Sequence, residues 1–219
     1  MAETAKRRYR TSPAVRQART DRLEAATREA ETIALQLFEQ RGFDVVTVED
    51  IATAAGISAR TFYRYFPAKD DVLRATVRRR AQTVAAALAA RPSDEAPMHS
   101  IRRVVQDVVS AEDPTHLARW NRVVEASPHA TRTVLGANIL EFNAVLAEFL
   151  SSRAGQTPDD LAPAMLATAA GAIIQAAQTR WHLLGGDLAT TIGDALAVLD
   201  TVVLDQSSTA TSQRDHPAT

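Results

Sequence analysis

The stretch that most constrains this chain runs from Thr47 to Lys69 and reads TVEDIATAAGISARTFYRYFPAK. It spells two short helices folded on a tight turn. Thr47 is placed to cap the first helix, with Glu49 and Asp50 in its positively polarised first turn. Ile51, Ala54 and Ala55 form an inward stripe at helical spacing. Gly56 stands where that helix must stop and the chain must turn left-handed. Ser58 caps the next helix, Phe62 and Phe66 fall on one side of it four residues apart, and Pro67 ends it.

The outward residues of the second helix are then Ala59, Arg60, Thr61, Tyr63, Arg64 and Tyr65. Arginine forks match guanine edges and phosphates, and the hydroxyls of Thr61, Tyr63 and Tyr65 suit phosphate oxygens. A helix–turn–helix lays such a helix in the major groove of a duplex. The plain alternative is a helical hairpin with a solvated basic face. Caps, glycine turn, apolar stripe and polar set all agree in register, which favours the nucleic-acid reading.

On Thr47, Ile51, Ala52, the Ala55–Ser58 turn, Thr61, Phe62, Tyr63, Tyr65, Phe66, Lys69 and Leu73, the segment resembles the DNA-binding domain of the TetR/AcrR family of bacterial transcription regulators. The likeness covers roughly residues 20–75. The family often has a small residue or proline at position 60, so Arg60 is a departure that adds a guanine-reading group. The wording from Arg60 to Phe66 is similar to a subset that includes mycofactocin-associated regulators.

The resemblance implies an all-α fold with an N-terminal three-helix DNA-binding domain and a C-terminal helical domain for ligand binding and dimerisation. It implies double-stranded operator DNA as partner, contacted by Thr47, Ser58, Ala59, Arg60, Thr61, Tyr63, Arg64, Tyr65 and Lys69, with Lys69 on a backbone phosphate. It also implies a homodimer, and a repressor released by a small, largely apolar effector, an acyl thioester among the candidates. No cofactor is expected.

Composition agrees with the helical reading. The chain is 46% hydrophobic and rich in alanine, with only 8 glycines and 9 prolines, and it shows almost no β-branched alternation. Cysteine is absent, which excludes a disulfide framework and thiolate metal sites. The N-terminus lacks a signal-peptide core and no apolar run reads as long enough to span a bilayer, so a cytoplasmic protein is expected. Net charge is only −1, but it is divided unevenly. Residues 1–80 hold 16 Lys/Arg and 11 Asp/Glu, and residues 81–219 hold 9 and 15. A basic front and acidic rear suit a chain in which only the front meets phosphates.

In chain order, residues 1–20 read as a basic disordered arm, able to add salt-sensitive DNA affinity or to serve only as a solubilising tail. Residues 21–75 read as the DNA-binding domain, its first helix spanning Asp21 to Arg41 and closed by Gly42, with Phe43, Val45 and Val46 plugging a small core. A helix from about Ala68 to Ala90 links this domain to the next, with Arg78, Arg79 and Arg80 on a solvated face. Residues 91–99 form a linker. Residues 76–205 read as the rear domain, with helices near 99–111, 114–126, 129–154, 158–184 and 187–205. Asp113-Pro114, Ser127-Pro128 and Thr157-Pro158 mark three starts, although Pro163 threatens a kink or a later start for the third. Residues 206–219 read as a mobile tail.

Small residues dominate 164–177, and Leu188, Ile192, Leu196, Leu199, Val202 and Val203 line the last helix. These two helices suit a four-helix dimer interface, or an ordinary monomeric core built from the same residues. Pocket candidates are Trp120, Val123, Asn138, Phe142, Met165, Gln175 and Trp181, an apolar set with a few polar groups. Each could equally be simple core or surface. An effector favouring a form with mismatched reading heads would lower operator affinity by linkage.

An enzyme is disfavoured. Asp113/His116 and Glu125/His129 have metal-ligand spacing, but proline interrupts both contexts, and no nucleophile elbow or phosphate-cradling glycine loop is present. An architectural DNA-binding protein without small-molecule control is the competing reading, since its front half would look the same.

Overall fold

Ser12 and Pro13 start the first helix earlier than its apolar stripe implies. The computed structural model describes residues 12–198, and α1 spans Pro13–Arg41. The Ser12 hydroxyl accepts from the Val15 N–H at 3.3 Å, and Pro13 takes the first helical position, where a missing N–H costs nothing. Residues 13–20 are therefore helical and not a disordered arm. The rest of that arm, 1–11, lies outside the described residues.

Every regular element among the described residues is a helix, in two units that divide between Val72 and Leu73. In the first unit, α2 (Val48–Ala54) packs against both α1 and α3 (Ala59–Tyr65). Its buried face is Val48, Ile51 and Ala52, whereas Ala54 is exposed and Ala55 half-buried, so the inward stripe lies closer to the helix start than expected. The core is completed by Ala34, Leu35, Phe38, Phe43, Val46, Phe62 and Phe66. Phe38 and Phe43 meet edge to face at 4.9 Å, and Phe62 lies 5.3 Å from Phe66. Val45 is exposed instead of plugging the core, because Phe43 and Val46 already fill it.

Gly56 ends α2 with φ of +63°. The Ile57 N–H reaches the Ala52 carbonyl at 2.9 Å, and the Gly56 N–H reaches Thr53 at 3.2 Å, the paired bonds of a Schellman ending.

The second unit holds most of α4 (Asp71–Ala89), then α5 (Pro97–Ser110), α6 (Pro114–Glu125), α7 (Pro128–Ala154), α8 (Leu161–Leu184) and α9 (Leu188–Val198). Asp113 and Ser127 cap α6 and α7 as expected. Thr157-Pro158 does not start α8: residues 158–160 form a turn, and the helix begins at Leu161. Begun at 158, the helix would put Pro163 in its interior, where proline removes a hydrogen bond and clashes with the preceding turn. Begun at Leu161, it holds Pro163 in the first turn.

The core joins Val84 and Leu88 of α4, Ile101 and Val105 of α5, Leu146 and Leu150 of α7, and the small face of α8 at Ala167, Ala170 and Ala177. A Cβ at Gly171 would overlap the Asn143 side chain, so α7 and α8 approach closely there. Leu188, Ile192 and Leu196 point into this same core and not toward a partner, since their spacing of four places them on the inner face of α9. Leu199, Val202 and Val203, and the 206–219 tail, lie outside the described residues.

Arg80 is not on a solvated face. Its guanidinium grips Glu112 at 2.5 and 2.7 Å and lies 4.7 Å from the Trp120 ring centre. Helices α7 and α8 each contain a stretch long and apolar enough to cross a bilayer, which corrects the expectation that no run reaches that length. Their buried residues build the second unit's core, and core helices meet the same length and composition test.

At the start of α2 the Asp50 carboxylate accepts from the Thr47 hydroxyl at 2.7 Å, the Thr47 N–H at 2.9 Å and Arg41 at 3.1 Å. These bonds, led by the Thr47 hydroxyl, lower its pKa from 3.8 to about 2. A depressed carboxylate adds stability above its unfolded pKa and loses it as pH falls through the folded one. Asp50→Asn should therefore flatten the fall in urea midpoint between pH 4 and pH 2 relative to the parent chain, and two parallel acid limbs would refute the assignment.

Candidate nucleic-acid interface and effector cavity

Helix α3 is two turns long, and its orientation is set by burial of Phe62 and Phe66. Ser58 caps it, accepting from the Thr61 N–H at 3.1 Å. With those rings inward, Arg60, Tyr63 and Arg64 are exposed, Tyr63 at 51%, and Ala59, Thr61 and Tyr65 are half-buried beside them. Arg60 and Arg64, one turn apart, share a face. The Arg64 guanidinium leans over the Tyr65 ring at 5.3 Å, which pre-orients its fork. The Ser58 and Thr61 hydroxyls share a hydrogen bond of 3.0 Å.

Two other residues of the expected contact set are turned to internal work. The Thr47 hydroxyl gives its one proton to Asp50 and accepts from the Asp50 N–H at 3.1 Å, closing a reciprocal capping box. Lys69 donates to the Phe43 carbonyl at 2.7 Å and the Val46 carbonyl at 2.9 Å, with its ammonium 4.6 Å from the Phe43 ring centre. It ties down the loop between α1 and α2. Nothing in its sequence neighbours distinguishes that role from a phosphate contact.

The second unit contains several hollows. A cavity of about 400 Å³ opens between α6, α7 and α8, with Trp120, Asn121, Asn138 and Gln175 on its wall. A groove of about 460 Å³ between α7 and α8 shares Asn138 and Gln175 and adds Phe142. Asn138 and Gln175 are joined across it at 3.3 Å. A small hollow of about 30 Å³ touches Phe142, Trp181 and Asn121. The Trp181 N–H donates to the Gly186 carbonyl at 2.9 Å.

Five of the seven expected pocket residues thus line a hollow. Val123 is buried in ordinary packing, and Met165 is 61% exposed on the outer face of α8, one turn after Leu161. Gln178 and Thr179, outside the expected set, line both the 400 Å³ cavity and the 460 Å³ groove. Their spacing with Gln175, three polar residues along one strip of an alanine-rich helix, is the signal that could have found them.

Comparison with known proteins gives a consistent picture. Residues 33–76 match the family described as bacterial regulatory proteins, tetR family. Residues 92–204, more than half the chain, match the MftR C-terminal domain. The HTH-type transcriptional regulator TcmR of Streptomyces glaucescens is 28% identical over 160 residues, covering 68% of this chain and 70% of that protein. The mycofactocin biosynthesis transcriptional regulator MftR of Mycobacterium tuberculosis is 48% identical over 40 residues, 18% of this chain and 20% of that one. In fold, a TetR-family transcriptional regulator from Syntrophomonas wolfei superimposes with a TM-score of 0.61 at 17% identity, over 83% of this chain and 96% of that one. The helix–turn–helix ahead of an all-helical second unit and an MftR-type rear domain lead to one assignment: the chain belongs to the TetR family of bacterial transcription regulators, is a DNA-binding regulator and is not an enzyme.

Proposed function

We propose that the protein is a homodimeric repressor that leaves its operator when a small, largely apolar ligand occupies the second unit. The observation that carries the DNA half of this reading is the division of α3: Phe62 and Phe66 inward, Arg60, Tyr63 and Arg64 outward on one short helix. Arg60 reads base edges, Arg64, Tyr63 and Tyr65 position the helix on phosphates, and Ser58, Ala59 and Thr61 form its close-approach end. Thr47 and Lys69 act from behind, by holding α2 and its preceding loop.

Support for a dimer comes from the outer face of α8. Leu161, Met165, Ala172, Ala176 and Leu183 are exposed at spacings of four and seven, an apolar stripe that a second copy would cover. Support for ligand control comes from the cavity beside it, whose size falls within the usual range for small-molecule sites.

Three measurements test this. Duplexes selected from random sequence by the full-length protein should show a defined site, and Arg60→Ala should weaken that site by roughly 1–3 kcal/mol while relaxing its sequence preference. Equal losses on selected and random duplexes would refute the reader role. Lys69→Ala should lower stability by roughly 1–3 kcal/mol through its two lost charged hydrogen bonds. Its slope of log K against log salt should stay unchanged, whereas a drop of about 0.9 would show a direct phosphate contact. Met165→Arg should convert a dimer to a monomer in sedimentation equilibrium; a parent chain already monomeric, or a variant that stays paired, removes the dimer face.

A further inference from the structure

From Pro13 to Ala25 every residue of α1 is exposed, and Ala30 is the first buried one. The helix therefore overhangs the core of the first unit by roughly 26 Å at 1.5 Å per residue. It persists because it extends a helix already nucleated in that core, where each further residue adds one hydrogen bond. Ser12 caps its free end, and Gln17 donates to Asp21 at 2.8 Å along its side. The overhang precedes the residues that match the family.

Its arginines are not scattered. Arg16, Arg19, Leu23 and Thr27 continue, in steps of three and four, the row of Ala30, Ala34 and Phe38 that packs into the core beside α2. Arg22 flanks that row. Asp21 and Glu24 lie off it, beside Gln17 and Arg28. Arg28, nine residues or two and a half turns from Arg19, points the opposite way. Among the described residues neither Arg19 nor Arg22 has a carboxylate partner. Past the last buried turn, the inward face of α1 thus changes from alanine and phenylalanine to arginine. A merely solubilising overhang has no need to gather cations on the inward side and keep its carboxylates off it.

We propose that this arginine row is a second duplex contact, laid along the sugar–phosphate backbone beyond the groove that α3 enters. The inward face of α1 looks toward the helix–turn–helix pair, so a duplex seated on α3 lies on the side that the row faces. Charge complementarity selects a polyanion, and the helical form selects its backbone. A helix about 10 Å across does not enter a minor groove about 6 Å wide. Such contacts add affinity and salt sensitivity without sequence information. The proposal rests on the α3 reading, since α3 sets where the duplex lies.

The test uses the full-length protein and the site it selects from random duplexes. Anisotropy titrations compare that site alone with one carrying about eight further base pairs on each side, the reach of the overhang at about 3.4 Å per base pair. The flanks should tighten binding by the parent severalfold, whatever their sequence. The double variant Arg19→Ala/Arg22→Ala should lose that gain, and its slope of log K against log salt should fall by about 0.9 for each arginine that meets a phosphate. Both positions are exposed and alanine favours helix, so its urea midpoint should match the parent's. Arg28→Ala removes a like charge from the far side and should keep both the gain and the slope. Equal flank gains in parent and double variant, an unchanged slope, or the same losses in Arg28→Ala would overturn the proposal. So would a double variant whose self-association changes in sedimentation equilibrium while its DNA affinity does not, because the row would then be a contact between copies. The α3 reading fails separately. If Arg60→Ala keeps both sequence preference and flank gain, α3 loses its reader role and the overhang contact stands. A parent that binds no duplex at low salt overturns both.

Discussion

Two phenylalanine rings decide what the first unit can do. A seven-residue helix is far too short to persist alone, because helix nucleation costs more than two turns return. Helix α3 therefore takes its existence and its rotation from the burial of Phe62 and Phe66. Turning it by 100°, one residue along its axis, would bury Tyr63 and expose Phe62. The outward arginines are useful to DNA only because the opposite side is fixed in hydrocarbon.

The parts around that helix follow from the same need. Gly56 lets the chain reverse within two residues, the reciprocal bonds of Thr47 and Asp50 hold the start of α2, and Lys69 clamps the preceding loop from the far side. Thr47 and Lys69 have the chemistry of phosphate ligands, yet their hydrogen-bonding capacity is mostly spent inside the unit. In the second unit the logic is reversed. Arg80, with the look of a solvated cation, is locked to Glu112, whereas Trp120 and Asn121 are buried with their donors unspent.

How much of this could be read from the residues alone depended on the range of the interaction. Caps, the glycine turn and the Phe62/Phe66 spacing are local, and the structure places them as read. The start of α1 was misplaced because Ser12-Pro13 lacks an apolar stripe behind it, although the cap chemistry was visible. The start of α8 was misplaced because Thr157-Pro158 is an equally good turn signal, and only the position of Pro163 separates the two. Partners distant in the chain, such as Lys69 with Phe43 or Arg80 with Glu112, leave no mark at short spacing. The same holds for the outward placement of Met165 and the inward placement of Leu188 and Ile192, which tertiary packing alone settles.

The central claim is that the face of α3 opposite the two rings enters a duplex groove. The most direct measurement replaces Tyr63 with the photo-crosslinker p-benzoylphenylalanine in the full-length protein and irradiates it with a selected duplex. The account predicts a covalent protein–DNA adduct from position 63 that excess unlabelled duplex competes away, and none from the same crosslinker at exposed Met165 on α8. Adducts from position 165 with none from position 63 would contradict it.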